Sequence, residues 1–462
     1  LLLFSFQSSD CHHGRSVSSS RLNFFDIELL RYVAEGKPGN VMVSPASVKS
    51  TLAMLLEGAK GVTATEIRNA LRLSTDADDR KVELIKYLNA LNLKETSTVL
   101  QSASGAFVSK KLALNKDFEA AIKRDFSSEM TKTDFDDPKK ALDLINTWVS
   151  QKTHGLIPTI VEPGNANEIR YLILANALYF KSTWKYAFNP RHTRADCFYR
   201  SEACEKVTMM ELETDLPYAY VDDLRAHALE LPYEGGRYSM IILVPLDREG
   251  CEALIRDLPF LSLAQIHDLM HPTEVTLVMP KFTVSYNADL VEPLSKMHMS
   301  SLFSSKSNLT GIFDGSTASV SSFQHKVFMS VDEVGTVAAA VSAAAVVPLS
   351  FSGVDIRVDK PFVFFIRDND LGIVLFEGKI EEPTPFVEPV KPQANVVPVK
   401  TEQAPVLSLK PAAFVEPSKP LANGPKEMLN LQKPNFDSSK PVELTTTVKP
   451  TGFFDSVKNF FG

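Results

Sequence analysis

Residues that usually carry covalent chemistry are present in this chain of 462 residues but seldom stand in a working arrangement. There is no Gly-x-Ser-x-Gly elbow, no His-Glu-x-x-His pair and no glycine-rich phosphate loop. Hydrolase, zinc-peptidase and nucleotide chemistry are therefore not expected, and neither is a metal or a cofactor. Three patterns remain. Cys197 and Cys204 flank six residues of polar, turn-like chain, a spacing that permits a local disulfide if the protein is secreted, whereas the sequence leaves the state of Cys11 and Cys251 open. Asn308-Leu309-Thr310 is an acceptor triplet for N-glycosylation in a Ser/Asn-rich loop. The third is Glu333 to Ser350, Glu-Val-Gly-Thr-Val-Ala-Ala-Ala-Val-Ser-Ala-Ala-Ala-Val-Val-Pro-Leu-Ser, uncharged after its first residue. It is too apolar for an ordinary loop and too rich in Ala for a permanently buried strand. Small residues at alternating positions suit a segment that is sometimes a loop and sometimes a strand added to an existing sheet.

The elements that must hold such a segment occupy the first four-fifths of the chain. Charged residues make up 23% and the net charge is −7, so nucleic acid is not expected as a partner. No apolar run reaches the length of a membrane span. Asn23 to Val33 reads as an amphipathic helix. Ser47 to Leu56 reads as a second, starting near Ser44-Pro45 and ended by Gly58. Thr65 to Leu71, Lys81 to Leu91 and Leu142 to Thr153 are further helices. Tyr171 to Phe180, Ser239 to Val244, Glu274 to Met279 and Pro361 to Arg367 are β-rich runs of buried-strand type. Helices crowd the first third and strands the remainder, which predicts an α+β fold.

Both ends differ from this body. The chain opens at Leu1-Leu2-Leu3-Phe4-Ser5-Phe6 and turns polar up to Ser20, which reads as the remnant of a secretory signal followed by an N-terminal tail over 1–20. The expected location is extracellular. After Glu382 come 13 of the 28 prolines, and Phe386-Val-Glu-Pro-Val-Lys-Pro-Gln-Ala-Asn recurs as Phe414-Val-Glu-Pro-Ser-Lys-Pro-Leu-Ala-Asn. Proline at that density blocks helices and sheet ladders, so 383–462 is expected to be a disordered extension. It ends in a Phe-rich pattern at Phe453, Phe454, Val457, Phe460 and Phe461 that makes one apolar helical face, for a partner that the sequence does not name.

Across 21–382 the chain resembles the serpins, the large family of serine-protease inhibitors. The matching stretches run in family order. They are Asn40-Val-Met-Val-Ser-Pro-Ala-Ser, Leu55-Leu-Glu-Gly-Ala-Lys-Gly-Val-Thr, Ile145-Asn-Thr-Trp-Val, Leu174-Ala-Asn-Ala-Leu-Tyr-Phe-Lys-Ser-Thr-Trp, Val207-Thr-Met-Met, Leu229-Glu-Leu-Pro-Tyr, Met279-Pro-Lys-Phe, the Glu333 stretch, and Lys360-Pro-Phe-Val-Phe-Phe-Ile-Arg. The resemblance implies one domain of three β-sheets and about nine helices with an exposed reactive loop. It implies a suicide substrate rather than an enzyme: a protease acylates itself on the loop, and the cut loop inserts into the large sheet before the ester can be hydrolysed.

On that resemblance the inserting residues are Thr336, Ala338, Ala340, Ser342 and Ala344, all small enough for a sheet interior, with Gly335 giving the backbone freedom to change direction. Trp184, Lys281 and Glu333 match the loop entrance, with a Lys281–Glu333 ion pair to close it. Ser44, Ser47, Asn176 and His325 match a polar cluster that must loosen for the sheet to part. The family's loop length places the reactive bond at Leu349-Ser350, with Phe351 as the alternative primary residue. Either predicts a serine protease with an apolar primary pocket, chymotrypsin-like or elastase-like, and no Arg or Lys lies between Glu333 and Arg357 to suit a trypsin-like one. Lys81 and Lys86 are too sparse to make a heparin stripe, and a monomer is expected. The competing reading is a non-inhibitory binding or carrier protein of serpin fold whose tail recruits partners.

Overall fold

The computed structural model describes residues 16–92, 95, 97–126, 128–162, 171–315, 318–336 and 353–388. Five helices open the order: α1 (Ser16–Ala34), α2 (Pro45–Gly58), α3 (Gly61–Ala70), α4 (Ala77–Asn92) and α5 (Lys116–Phe126). α6 (Pro138–Lys152), α7 (Gly250–Asp257), α8 (Leu263–Leu269) and α9 (Val291–Leu294) follow, nine among the described residues. α1 begins already at Ser16, inside the stretch read as a tail, and the remaining predicted helices appear with longer bounds. Helix ends follow their capping chemistry. Asp137 accepts the Lys140 N–H at the start of α6, and Ser262 and Gln265 close a capping box on α8.

Six strands form the large sheet, in the order β10 (Phe282–Asp289), β11 (Ser322–Val331), β12 (Gly335–Thr336), β4 (Leu172–Thr183), β2 (Thr98–Ser109) and β3 (Glu129–Thr133). The other strands make a nine-stranded network bent at its longest member, β6 (Glu205–Val221). The start of β6 pairs with β5 (Arg194–Phe198) and its middle with β9 (His271–Pro280), which in turn pairs with β13 (Val354–Arg357). Its end pairs with β7 (Ala226–Pro232), leading on to β8 (Tyr238–Pro245), β14 (Phe362–Asp368), β15 (Ile373–Ile380) and β1 (Val41–Val43). The two arms of this network and the large sheet make three sheets.

Burial explains the order. β8, β14 and β15 are buried on both faces: α1 and α2 pack on β15 and α7 on β8 and β14, while Phe376 and Phe364 meet Phe180 and Phe282 of the large sheet. One face of the large sheet packs on α2, and the other takes α6, whose Ile145, Trp148 and Val149 meet Phe107 and Ile173. Gly105 lies beneath Trp148, where a Cβ would sit 2.7 Å from the indole. α2 is buried along nearly its whole length and includes a charge, Lys49, which pairs with Asp26 of α1 and donates to the Tyr87 hydroxyl at 3.2 Å. Burial pushes the Asp26 carboxyl up to about 6 against the pull of Lys49, and pushes Glu377, sealed in β15 beside the pair, well above the usual carboxylate range.

Candidate functional site at the mouth of the large sheet

β11 and β4 are parallel neighbours from Ser322–Ile173 to Phe328–Tyr179. Parallel strands that meet side by side in a mostly antiparallel sheet leave room, topologically, for an antiparallel strand between them. At their upper ends that strand has begun: Gly335 and Thr336 form β12, with Thr336 opposite both Val331 and Ser182 and Gly335 opposite Thr183. Thr336 is fully buried there.

Gly335 is required for a reason that the sequence did not suggest. Its backbone has no positive φ. A Cβ on it would instead collide with Ser182 O and lie 2.7 Å from Thr183 Cα, so the requirement is close approach of two main chains, not freedom to turn. The turn is made just before it. Asp332 Oδ1 accepts the N–H groups of Val334 and Gly335 at 3.0 and 3.3 Å, and the Asp332 N–H returns to Gly335 O at 2.9 Å. Asp332 was missed from the sequence, where its Asp-x-x-Gly spacing is the signal that could have found the turn.

Trp184 and Phe188 hold this turn from the β4 side. The indole N–H of Trp184 donates to Asp332 O at 3.0 Å, its backbone N–H to Val334 O at 2.9 Å, and Phe188 N–H to Glu333 O at 2.9 Å. The Glu333 carboxylate receives Lys281 Nζ at 2.6 Å and the Thr193 hydroxyl at 2.7 Å. Burial alone would raise the Glu333 pKa; the hydrogen bonds from Lys281 and Thr193 outweigh it and hold the carboxyl below its usual value. Thr193 carried no sequence signal, since its role depends on β5 being folded beside the turn. Lys281 has a second neighbour: its carbonyl accepts the Thr384 N–H at 2.9 Å, while Thr208 N–H reaches Thr384 O at 3.2 Å and Phe386 N–H reaches Lys206 O at 3.0 Å. The chain that leads to the C-terminal extension thus leaves as a short strand on the free edge of β6.

Lower in the sheet, α2 meets the β4–β11 seam through polar groups. The Ser47 hydroxyl donates to Asn176 Oδ1 at 2.8 Å, and Asn176 Nδ2 donates to Thr51 Oγ1 at 3.2 Å and Ser104 Oγ at 3.3 Å. Ser47 and Thr51 are one helical turn apart, which puts both on the sheet-facing side of α2. Ser44 occupies the N-cap of α2 without using its hydroxyl to cap it; its N–H donates to His325 Nε2 at 3.0 Å. His325 is fully buried, and desolvation pushes its imidazole down to about 3, so the ring is neutral with its proton on Nδ1. Among the described residues neither His325 Nδ1 nor Ser44 Oγ has a hydrogen-bond partner. Asn176 and His325 sit directly opposite each other in the β4–β11 register, so the cluster straddles the seam. Thr51 and Ser104 belong to it and were not found from the sequence, where a lone Thr on a helix reads as filler.

Cys197 and Cys204 form a disulfide with Cα atoms 5.0 Å apart, bridging the end of β5 to the start of β6, and Cys251 is a buried free thiol. Asn308 is half-buried, its Oδ1 accepting the Thr310 hydroxyl at 2.8 Å. Ala338, Ala340, Ser342, Leu349, Ser350 and Phe351 lie outside the described residues, as do Cys11 and the extension beyond Glu388. Among the described residues no helix is long and apolar enough to cross a membrane.

A family model described as Serpin (serine protease inhibitor) matches residues 20–383. Iripin-2 of Ixodes ricinus is 34% identical over 368 residues, covering 78% of this chain and 92% of that protein. The leukocyte elastase inhibitor of Sus scrofa is 33% identical over 373 residues, covering 78% of this chain and 97% of that protein. Among solved structures, Serpin48 of the insect Tenebrio molitor superposes with a TM-score of 0.70 at 28% identity, over 80% of this chain and 99% of that one. A sheet with a strand begun at its mouth, the family match over the whole body and these relatives lead to one conclusion: the chain belongs to the serpin family of serine protease inhibitors.

Proposed function

We propose that this chain is a secreted, monomeric inhibitor that traps a chymotrypsin-like or elastase-like serine protease as a covalent acyl-enzyme. The protease serine attacks the Leu349 carbonyl, the bond to Ser350 breaks, and the Ser350 amine leaves with the proton. The loop beyond Thr336 then adds to the large sheet between β4 and β11, with alternate small residues Ala338, Ala340 and Ser342 turned inward. The ester, carried to the far end of the sheet, is distorted and kept from water. Lys281–Glu333 and the Ser47–Asn176–His325 cluster restrain the seam until that moment.

The observation that carries this reading is the pairing of Gly335 and Thr336 between β11 and β4, antiparallel to both. An apolar residue at Leu349 and a relative named leukocyte elastase inhibitor support the protease class. The Cys197–Cys204 disulfide fits an oxidising compartment, where Asn308 would be open to glycosylation.

Incubating the full chain with chymotrypsin or elastase is expected to give a denaturant-resistant band at the summed mass and a released fragment beginning at Ser350. A fragment beginning at Ser352 would move the primary residue to Phe351. Cleavage without any stable complex would refute trapping and favour the carrier reading.

A further inference from the structure

Thr336 enters the sheet interior with a hydroxyl that must find a partner away from water. That partner is Tyr233, whose Oη lies 2.7 Å from Thr336 Oγ1 with both residues fully buried. The Tyr233 ring cannot swing away. It stacks on Trp184 with centroids 4.4 Å apart and planes 10° from parallel, and meets Phe180 edge-on at 5.3 Å. Its backbone bridges to Trp184 as well. The indole that stacks on Tyr233 is also the one that holds the Asp332 turn. One rigid aromatic pair therefore fixes the turn before the loop and presents a hydroxyl to the loop's first buried side chain.

We infer that Tyr233 is a positioning residue for loop insertion: its hydroxyl seats Thr336 in the large sheet, so that insertion continues from an engaged strand. The inference rests on the trapping mechanism proposed above for its consequence, but not for its geometry. A seated Thr336 shortens the time between acylation and trapping, and so lowers the number of inhibitors consumed as plain substrate for each protease captured. Removing either hydroxyl leaves the other buried and unpaired; removing both leaves an apolar contact of nearly the same shape.

The test uses full-length Tyr233→Phe, Thr336→Val and the double variant, with a protease that the wild type captures. Each single change is expected to raise the stoichiometry of inhibition by about three- to tenfold. The double change should cost less than the product of the two, because no orphaned hydroxyl remains. Hydrogen–deuterium exchange at Gly335–Thr336 is expected to quicken about tenfold in either single variant, whether or not the protein captures a protease. Unchanged exchange and unchanged stoichiometry in Tyr233→Phe would overturn the inference, as would multiplicative effects in the double variant. If the wild type captures no protease while exchange still quickens, the seating of Thr336 stands and the trapping mechanism falls.

Discussion

His325 couples the polar seam to pH. The imidazole is sealed beneath the sheet and its Nε2 already accepts the Ser44 N–H, so a second proton would set two N–H donors against each other at 3.0 Å. Burial holds its pKa at about 3, whereas an unfolded chain would titrate near 6.5. Above pH 6.5 the ring is neutral in both states and contributes no pH dependence. Between 6.5 and 3 the unfolded chain binds one more proton than the folded one, so stability falls as pH falls, by about 1.4 kcal/mol per unit. Going from pH 7.5 to 5.0 crosses about 1.5 units of that window and costs about 2 kcal/mol. Asp26 works the other way, since its raised pKa makes the folded state bind protons first, but it does so equally in a His325 variant. The assay is urea unfolding of wild type and His325→Gln at pH 7.5 and 5.0, followed by tryptophan emission. Whatever the variant costs at pH 7.5, the gap between the two proteins should shrink by about 2 kcal/mol at pH 5.0. An identical pH dependence in both proteins would refute the assignment of a buried neutral ring at the seam.

Three further outcomes follow from the same contacts. Glu333→Gln removes the charge that Lys281 and Thr193 bind, and should lower unfolding free energy by about 1–2 kcal/mol, less than a sealed pair because Lys281 is 27% exposed; an unmoved urea midpoint would show that the pair does not hold the resting turn. Lys49→Met should cost about 3–5 kcal/mol by stranding Asp26 in the core, while Glu377→Gln costs under about 1 kcal/mol because burial raises that carboxyl well above the usual range and so favours its neutral form; thermal melts of the two variants decide it, and equal losses would contradict the charge assignment. Truncation after Glu388 keeps the strand formed with Lys281 and Lys206 and should leave capture of a small protease within about twofold of wild type; since an interface rim contact changes association far more than that, a tenfold loss in rate would implicate the extension in recognition.

Much of the fold was legible because its elements carry strong periodicity. The stripe on α1, the apolar runs of β4, β8 and β14 and the composition break after Glu382 all reflect local chemistry that survives without knowledge of neighbours. What was not legible depends on who packs against whom. Lys49 reads as a surface cation until α1, α4 and β15 close around it. Tyr233 reads as the end of a strand motif; its hydroxyl acquires meaning only from Thr336, 103 residues away. Gly335 was read for its backbone freedom, whereas the resting fold shows a need for its missing Cβ, because sequence cannot separate a glycine needed for its dihedral from one needed for its missing atom. The boundary between sheet and loop was likewise set two residues too early: Gly335 and Thr336, read as part of the loop, are already paired.

The parallel seam between β4 and β11 has a consequence that can be counted. Each of its seven register pairs is a contact between two strands that both run against the direction of β12. Every residue that lengthens β12 therefore exchanges one parallel pair for two antiparallel ones, the better ladder for the worse and two for one. The resting molecule resembles a zip fastener drawn back by seven teeth. Its slider stands between Thr336, already meshed, and the stacked rings of Tyr179 and Phe328, 6.0 Å apart, which are the first tooth still closed on itself.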